Sequence, residues 1–306
     1  MRLQSHCQNE LQWETVLYGT LVIAYLFLGG AAGGAFLVTA VWSLALHRKP
    51  LGRSHALRRE FRVLRGRSYA IAALALASSM LCLLWDLDYP ERALLIFTSA
   101  QPTVLTFGAC ALSALLGVGT LLALANLLHL RIFSGRIKHI LDSACALLAA
   151  AVMEYTGVFL YSNIGIAFWH SLALIGLFFC SALSSGLSLV MLIDYFSRGE
   201  APHVNAVRSL QKWHLACLAA ELVFLAIFLL AAKANPAAAP SLALLLSDAI
   251  FPTALIGALG FGIVLPFALE TYALLCKEQR SLPVSDFVCL IGALCLRWTV
   301  IVCGVH

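Results

Sequence analysis

Residues Val16–Leu46 read VLYGTLVIAYLFLGGAAGGAFLVTAVWSLAL, thirty-one positions without a charged side chain, followed closely by Arg48 and Lys49. A helix needs about 20 apolar residues to cross a bilayer. In lipid the backbone must satisfy its own hydrogen bonds, so such a run predicts a membrane-spanning helix. Further apolar runs lie at about 68–88, 103–129, 140–161, 166–196, 214–232, 249–276 and 284–303. They are too long for barrel strands and lack the two-residue alternation. The expectation is an all-α integral membrane protein of about eight transmembrane helices. The spans divide into two four-helix bundles, residues 1–161 and 162–306.

Composition agrees. Of 306 residues, 61% are apolar and 11% charged, whereas soluble domains carry about 25% charge. This excludes a disordered chain, a collagen, a coiled coil and a secreted disulfide scaffold, and argues against a soluble enzyme. The net charge of +5 is no sign of nucleic-acid binding, because of where the charge sits. Of the 20 Lys and Arg, sixteen lie in alternate connections: Arg48, Lys49, Arg53, Arg58, Arg59, Arg62, Arg65 and Arg67; Arg131, Arg136 and Lys138; Arg198, Arg208 and Lys212; Lys277 and Arg280. The positive-inside rule then puts both termini outside the membrane. Trp13, Trp85 and Trp169 fall at outer ends of spans and Trp42 and Trp213 at inner ends, as an aromatic belt requires. The first apolar run is too long for a signal peptide and is expected to remain as the first span.

The ten cysteines are isolated, with no C-x-x-C or Cys/His cluster. Free thiols packed between helices are expected, and neither a metal site nor an iron–sulfur cluster. A membrane b-haem needs two facing axial ligands. His129 and His214 lie at inner ends, where a pair from spans three and six stays open, and His170 lies at an outer end; no mid-membrane pair exists, and no haem is expected.

Polar groups inside spans are costly in lipid and so carry information. Span one has two overlapping G-x-x-x-G patterns, Gly29/Gly33 and Gly30/Gly34, a small-residue face that admits a close neighbour. Such closeness also leaves room for a flat ligand. Residues 178–186 of span five echo this face, a hint of internal duplication. Tyr25 lies about nine residues inward from the outer end of span one. Asp86 and Asp88 end span two, Glu154 and Tyr155 lie in span four, and His170 begins span five. Arg297 is roughly 20 Å from the inner face, in a core about 30 Å thick. All these groups fall in the outer half. Each also has a plainer reading: Asp86, Asp88 and His170 as interface residues, Tyr155 as packing, Arg297 as the partner of Asp86 or Glu154. Glu154 and Tyr155 are adjacent, about 100° apart on the helix, so both cannot face one ligand. Glu221 lies at the middle of span six, and Asp194 and Glu270 near the inner ends of spans five and seven. Glu154, Glu221 and Glu270 are candidates for a proton route, or are isolated packing groups.

Taken in order, these residues resemble the NrfD/PsrC family of membrane subunits of polysulfide, nitrite and thiosulfate reductases. Tyr25-Leu26-Phe27-Leu28-Gly29-Gly30 with Gly33-Gly34 looks like the family's first span. Asp86-Leu87-x-x-Pro90-x-Arg92 looks like its second, and Tyr155-Thr156-Gly157-x-x-Leu160 its most typical motif. Leu177-Phe178-Phe179-x-Ser181-x-x-Ser184-Ser185-Gly186 looks like its fifth. Glu221, Gly262-Ile263-Val264-Leu265-Pro266 and Gly292-Ala293-Leu294-x-Leu296-Arg297-Trp298-x-Val300-x-x-x-Gly304 complete the set.

The resemblance implies a subunit in the bacterial cytoplasmic (inner) membrane that oxidises menaquinol or ubiquinol near the outer face. Its partners would be a ferredoxin-like subunit with [4Fe–4S] clusters and a molybdopterin or multihaem catalytic subunit. It also implies that Tyr155 hydrogen-bonds a quinone oxygen. In span one, a family position that holds a hydrogen-bonding group is Val22 here, which cannot serve; Tyr25 can substitute. Quinol oxidation needs a base, for which Asp86 or His170 is suited. Arg297 would stabilise the anionic charge, and Gly30 and Gly33 would leave space for the ring. The alternative is a secondary transporter or ion-translocating protein using Glu221, Glu270, Asp194 and Arg297. Such proteins place their site at the midplane in broken helices, and Pro266 is the one candidate break.

Overall fold

The computed structural model describes residues 2–48, 55–86, 103–128, 135–163, 165–197, 204–276 and 283–304. Among them there is no strand. The helices are α1 (Arg2–Arg48), α2 (His55–Trp85), α3 (Val104–Leu127), α4 (Gly135–Tyr161), α5 (Leu172–Phe196), α6 (Val204–Ala234), the short α7 (Ala239–Leu245), α8 (Leu265–Leu275) and α9 (Pro283–Gly304). A π-helical stretch, Thr253–Val264, leads into α8. Among the described residues, eight segments are long and apolar enough to cross a membrane. They overlay the eight runs read from the sequence.

The helices overrun their apolar stretches at the basic end, because Arg, Leu and Ala are good helix formers and water tolerates the charges there. Arg65, expected in a connection, is thus inside α2 and only 4% exposed. Asp142 of α4 answers it. Its carboxylate accepts from Arg65 Nη2 at 3.0 Å, Tyr69 Oη at 3.1 Å and Ser43 Oγ at 2.7 Å. One carboxylate therefore ties α1, α2 and α4 at the basic end.

The run at 166–196 is not one helix. Residues Ala167–Trp169 form a 3₁₀ turn, and Ser171 then caps α5 by accepting from the Ala173 N–H. Trp169 is consequently no belt residue. It is buried, donates from Nε1 to the Val300 carbonyl at 2.9 Å, and lies against Gly304. Trp85 and Trp213 are exposed at span ends, as expected. The expected burial of the thiols needs correction at two positions: Cys110 and Cys276 face outward, while Cys145, Cys217, Cys289 and Cys303 are buried. Pro266 does not break its span. It lacks an N–H, and the turns before it widen, so that the Leu265 N–H reaches the Gly260 carbonyl five residues back. Gly262 and Gly292 let this wide stretch approach α9 closely.

Helix α1 is the hub, packed against α2, α4, α5 and α9. The four glycines of its G-x-x-x-G patterns do not share one partner. Gly29 meets Ser79 of α2, Gly33 meets Met153 of α4, Gly34 meets the backbone of Ala182 and Gly186 of α5, and Gly30 meets the Arg297 guanidinium of α9. The two segments that echo each other in sequence therefore pack on each other, at Gly34 and Gly186. This contact joins residues 1–161 to residues 162–306 through the middle of the fold. Outward positions such as Leu74, Leu147, Leu230 and Leu275 are exposed and apolar, the surface a lipid-facing helix needs.

Candidate functional site

Two phenols meet between α1 and α4. Tyr25 is 3% exposed and Tyr155 2%. Their hydroxyls are close enough to interact, yet neither completes a hydrogen bond of normal geometry. Both are held firmly. The Tyr155 ring lies on Gly108 of α3, where a Cβ would collide with it, and leans on Phe159 with centroids 6.0 Å apart. Gly157 follows, pressed on the backbone of Ile175 in α5. The Tyr25 carbonyl accepts from Ser79 Oγ at 2.9 Å, which fixes α1 to α2 at this level. Asp86, half-buried where α2 ends, is near enough for its charge to act on Tyr25.

Arg297 is the second element. It is fully buried on α9. Its Nη1 donates to Ser181 Oγ at 3.1 Å and to the Ala293 carbonyl at 3.0 Å, while Nε and Nη2 have no partner. Phe27 and Phe178 lie beside the guanidinium, at 5.9 and 5.5 Å from their ring centroids. Gly30 makes the room: a Cβ there would come within 2.7 Å of Nη2. The acid that answers Arg297 is Glu221 of α6, which accepts from Ser184 Oγ at 3.0 Å. Ser181 and Ser184, on one face of α5, stand between the two charges. A guanidinium this deep is sustained only by such a polar lining.

The structure thus brings together Tyr25, Tyr155 and Asp86, and separately Arg297, Gly30 and Glu221. Other expectations fall elsewhere. Glu154 is exposed on α4, about 100° around the helix from Tyr155, so it cannot meet the buried Arg297. Gly33 packs on Met153 rather than beside the guanidinium. His170 is exposed and stacks on Tyr161 at 4.6 Å, nearer the end of the bundle than Tyr155. Glu270 sits at the basic end, hydrogen-bonded to His214. Asp88, Arg92 and His129 lie outside the described residues. The sequence reading missed Gly108, for which no motif exists. It also missed the bridging role of Ser181 and Ser184, although their three-residue spacing in an apolar helix marked one polar face.

A search of curated proteins finds no match. A family model does match, over almost the whole length that carries both tyrosines, the glycine face and Arg297. The chain belongs to the family described as polysulphide reductase, NrfD, whose model matches residues 9–306.

Proposed function

We propose that this chain binds and oxidises a menaquinol or ubiquinol where Tyr25, Tyr155 and Arg297 lie, and passes the electrons to a [4Fe–4S] ferredoxin-like subunit docked at that end. A molybdopterin or multihaem subunit beyond it reduces the terminal acceptor. Family membership makes the chain a membrane subunit of a reductase complex; the quinol and the named partners are the proposal. The charge asymmetry supports its orientation in a bacterial inner membrane, with the basic end in the cytoplasm and the phenol end outside.

The observation that carries this reading is the set of buried polar atoms that no hydrogen bond of normal geometry satisfies: Tyr25 Oη, Tyr155 Oη, Arg297 Nε and Arg297 Nη2. Each such atom costs about 1–3 kcal/mol when left dry. Two of them lie where α1 meets α4 and two lie beside Gly30, and polar atoms left in this way suit a planar ligand with oxygens at its edge. The quinol itself supplies the electrons and protons. The phenols fix one of its oxygens, Asp86 takes a proton, and Arg297 offsets negative charge in a low-dielectric setting. Glu221, joined to Arg297 through Ser181 and Ser184, is the acid placed to exchange a proton on the inward side. His170, out beyond Tyr155, is a suitable acceptor for its onward release.

The test is Tyr155→Phe. The ring keeps its seat on Gly108, so assembly by immunoblot should be unchanged. Loss of one hydrogen bond, about 0.5–1.5 kcal/mol, should raise the quinol KM by about 2- to 13-fold with little change in kcat. An unchanged KM would remove Tyr155 from the site.

A further inference from the structure

A second buried cluster stands at the basic end, away from the phenols. His214 of α6, Glu270 of α8 and Asp286 of α9 place one ligand atom each within 4.8 Å of one another, and all three are buried. His214 Nδ1 and Glu270 Oε1 touch. Glu270 Oε2 and both oxygens of Asp286 have no hydrogen-bond partner, although Asp286 is 0% and Glu270 2% exposed. Among the described residues, no Lys or Arg hydrogen-bonds either carboxylate. Three carboxylate oxygens without partners thus gather around one imidazole, whose contact with Glu270 is the one ion pair in the cluster.

We infer that His214, Glu270 and Asp286 bind a divalent transition-metal ion, with zinc the best match. One imidazole and two carboxylates form a mixed nitrogen–oxygen set, which suits zinc better than magnesium or calcium, since these prefer oxygen-only shells. Zinc takes these ligands at about 2.0–2.2 Å. Ligand atoms at that distance from a tetrahedral ion stand about 3.4 Å apart, so Asp286 closes and the His214–Glu270 contact spreads on binding. The imidazole is already set for the task. Ligation through Nδ1 requires the proton on Nε2, and Nε2 faces Ser188 Oγ at 3.2 Å, which can accept it. Cys289 Sγ, 3.5 Å from the same nitrogen, lies on that side of the ring and is not a ligand. Three protein ligands leave a fourth position for water. All three residues lie within about two turns of the basic ends of their spans, so an ion would clamp α6, α8 and α9 there. No linear motif marks this site, because its ligands come singly from three helices.

The experiment uses the purified full chain in detergent, carrying a tag free of histidine, with Zn²⁺ and Co²⁺ as probes. After zinc loading and removal of excess, the wild type should retain about one ion per chain. Asp286→Asn should retain it at least about 100-fold more weakly, and Ser188→Ala, which only orients His214, about 10-fold more weakly. Zinc should raise the Tm of the wild type and not that of Asp286→Asn. Co²⁺ should give the visible bands of a four-coordinate site in the wild type, a readout independent of any variant. No retained zinc and no Co²⁺ spectrum would overturn the inference, as would equal retention by wild type and Asp286→Asn. The carboxylates would then be held by shared protons alone.

Discussion

Asp142→Ala should leave little folded protein in the membrane. Arg65 would remain 4% exposed with no counter-charge, and Tyr69 and Ser43 would lose their acceptor. Breaking a buried ion pair from one side costs about 3–5 kcal/mol, chiefly through the charge left behind. That is a large part of the stability of most domains. The measurement is the Tm in detergent together with abundance by immunoblot. The double variant Arg65→Met/Asp142→Leu should recover most of the loss, because an apolar pair of similar volume removes the orphaned charge. A single variant as stable as the wild type would mean that Arg65 reaches water, and that the network does not tie α1, α2 and α4 together.

Asp86→Asn should act on turnover rather than stability. The amide keeps the shape of the carboxylate and removes the base. If Asp86 takes the proton in the slow step, quinol-dependent reduction of the partner's clusters should fall by about 10²-fold or more. Arg297→Gln should also lower turnover, by a separate route. The Arg297 guanidinium is answered by Glu221 through Ser181 and Ser184. The sequence leaves Asp86 and Glu154 open as its partner, and pairing with Asp86 would make the double variant no worse than either single. The structure changes that expectation: with separate partners the two losses should multiply. Assembly should be intact in both, checked by immunoblot. Wild-type turnover in Asp86→Asn would remove it as the base and turn attention to His170.

The fold was legible because lipid imposes one rule. Every span must be helical and apolar for about 20 residues, and the runs around Val16–Leu46 and its successors state this directly. Helix ends were less legible. A helix can continue past its apolar stretch, as α2 does through Arg65, or stop short of it, as at Ser171. Trp169 misled for the same reason: an aromatic at a span end reads as a belt residue, and only its bond to the Val300 carbonyl shows it turned inward. At the site, Tyr25, Tyr155, Asp86 and Arg297 were legible from the expense of polar groups in apolar runs. Which of them face one another was not. That depends on α1 standing at the centre, with Gly29, Gly30, Gly33 and Gly34 opening toward different helices. Asp142 escaped notice because it lies near a basic connection, where an acid seems unremarkable. The His214–Glu270–Asp286 cluster has no linear signature at all.

The most direct test of the quinol site is photolabelling of the purified chain in nanodiscs with an azido-quinone, followed by peptide mapping. Labelling that excess quinone abolishes should fall on residues 22–30 of α1, 155–159 of α4 and the α9 segment around Arg297. Labelling that competes only at the basic end, around His214 and Asp286, or labelling that no quinone displaces, would contradict it.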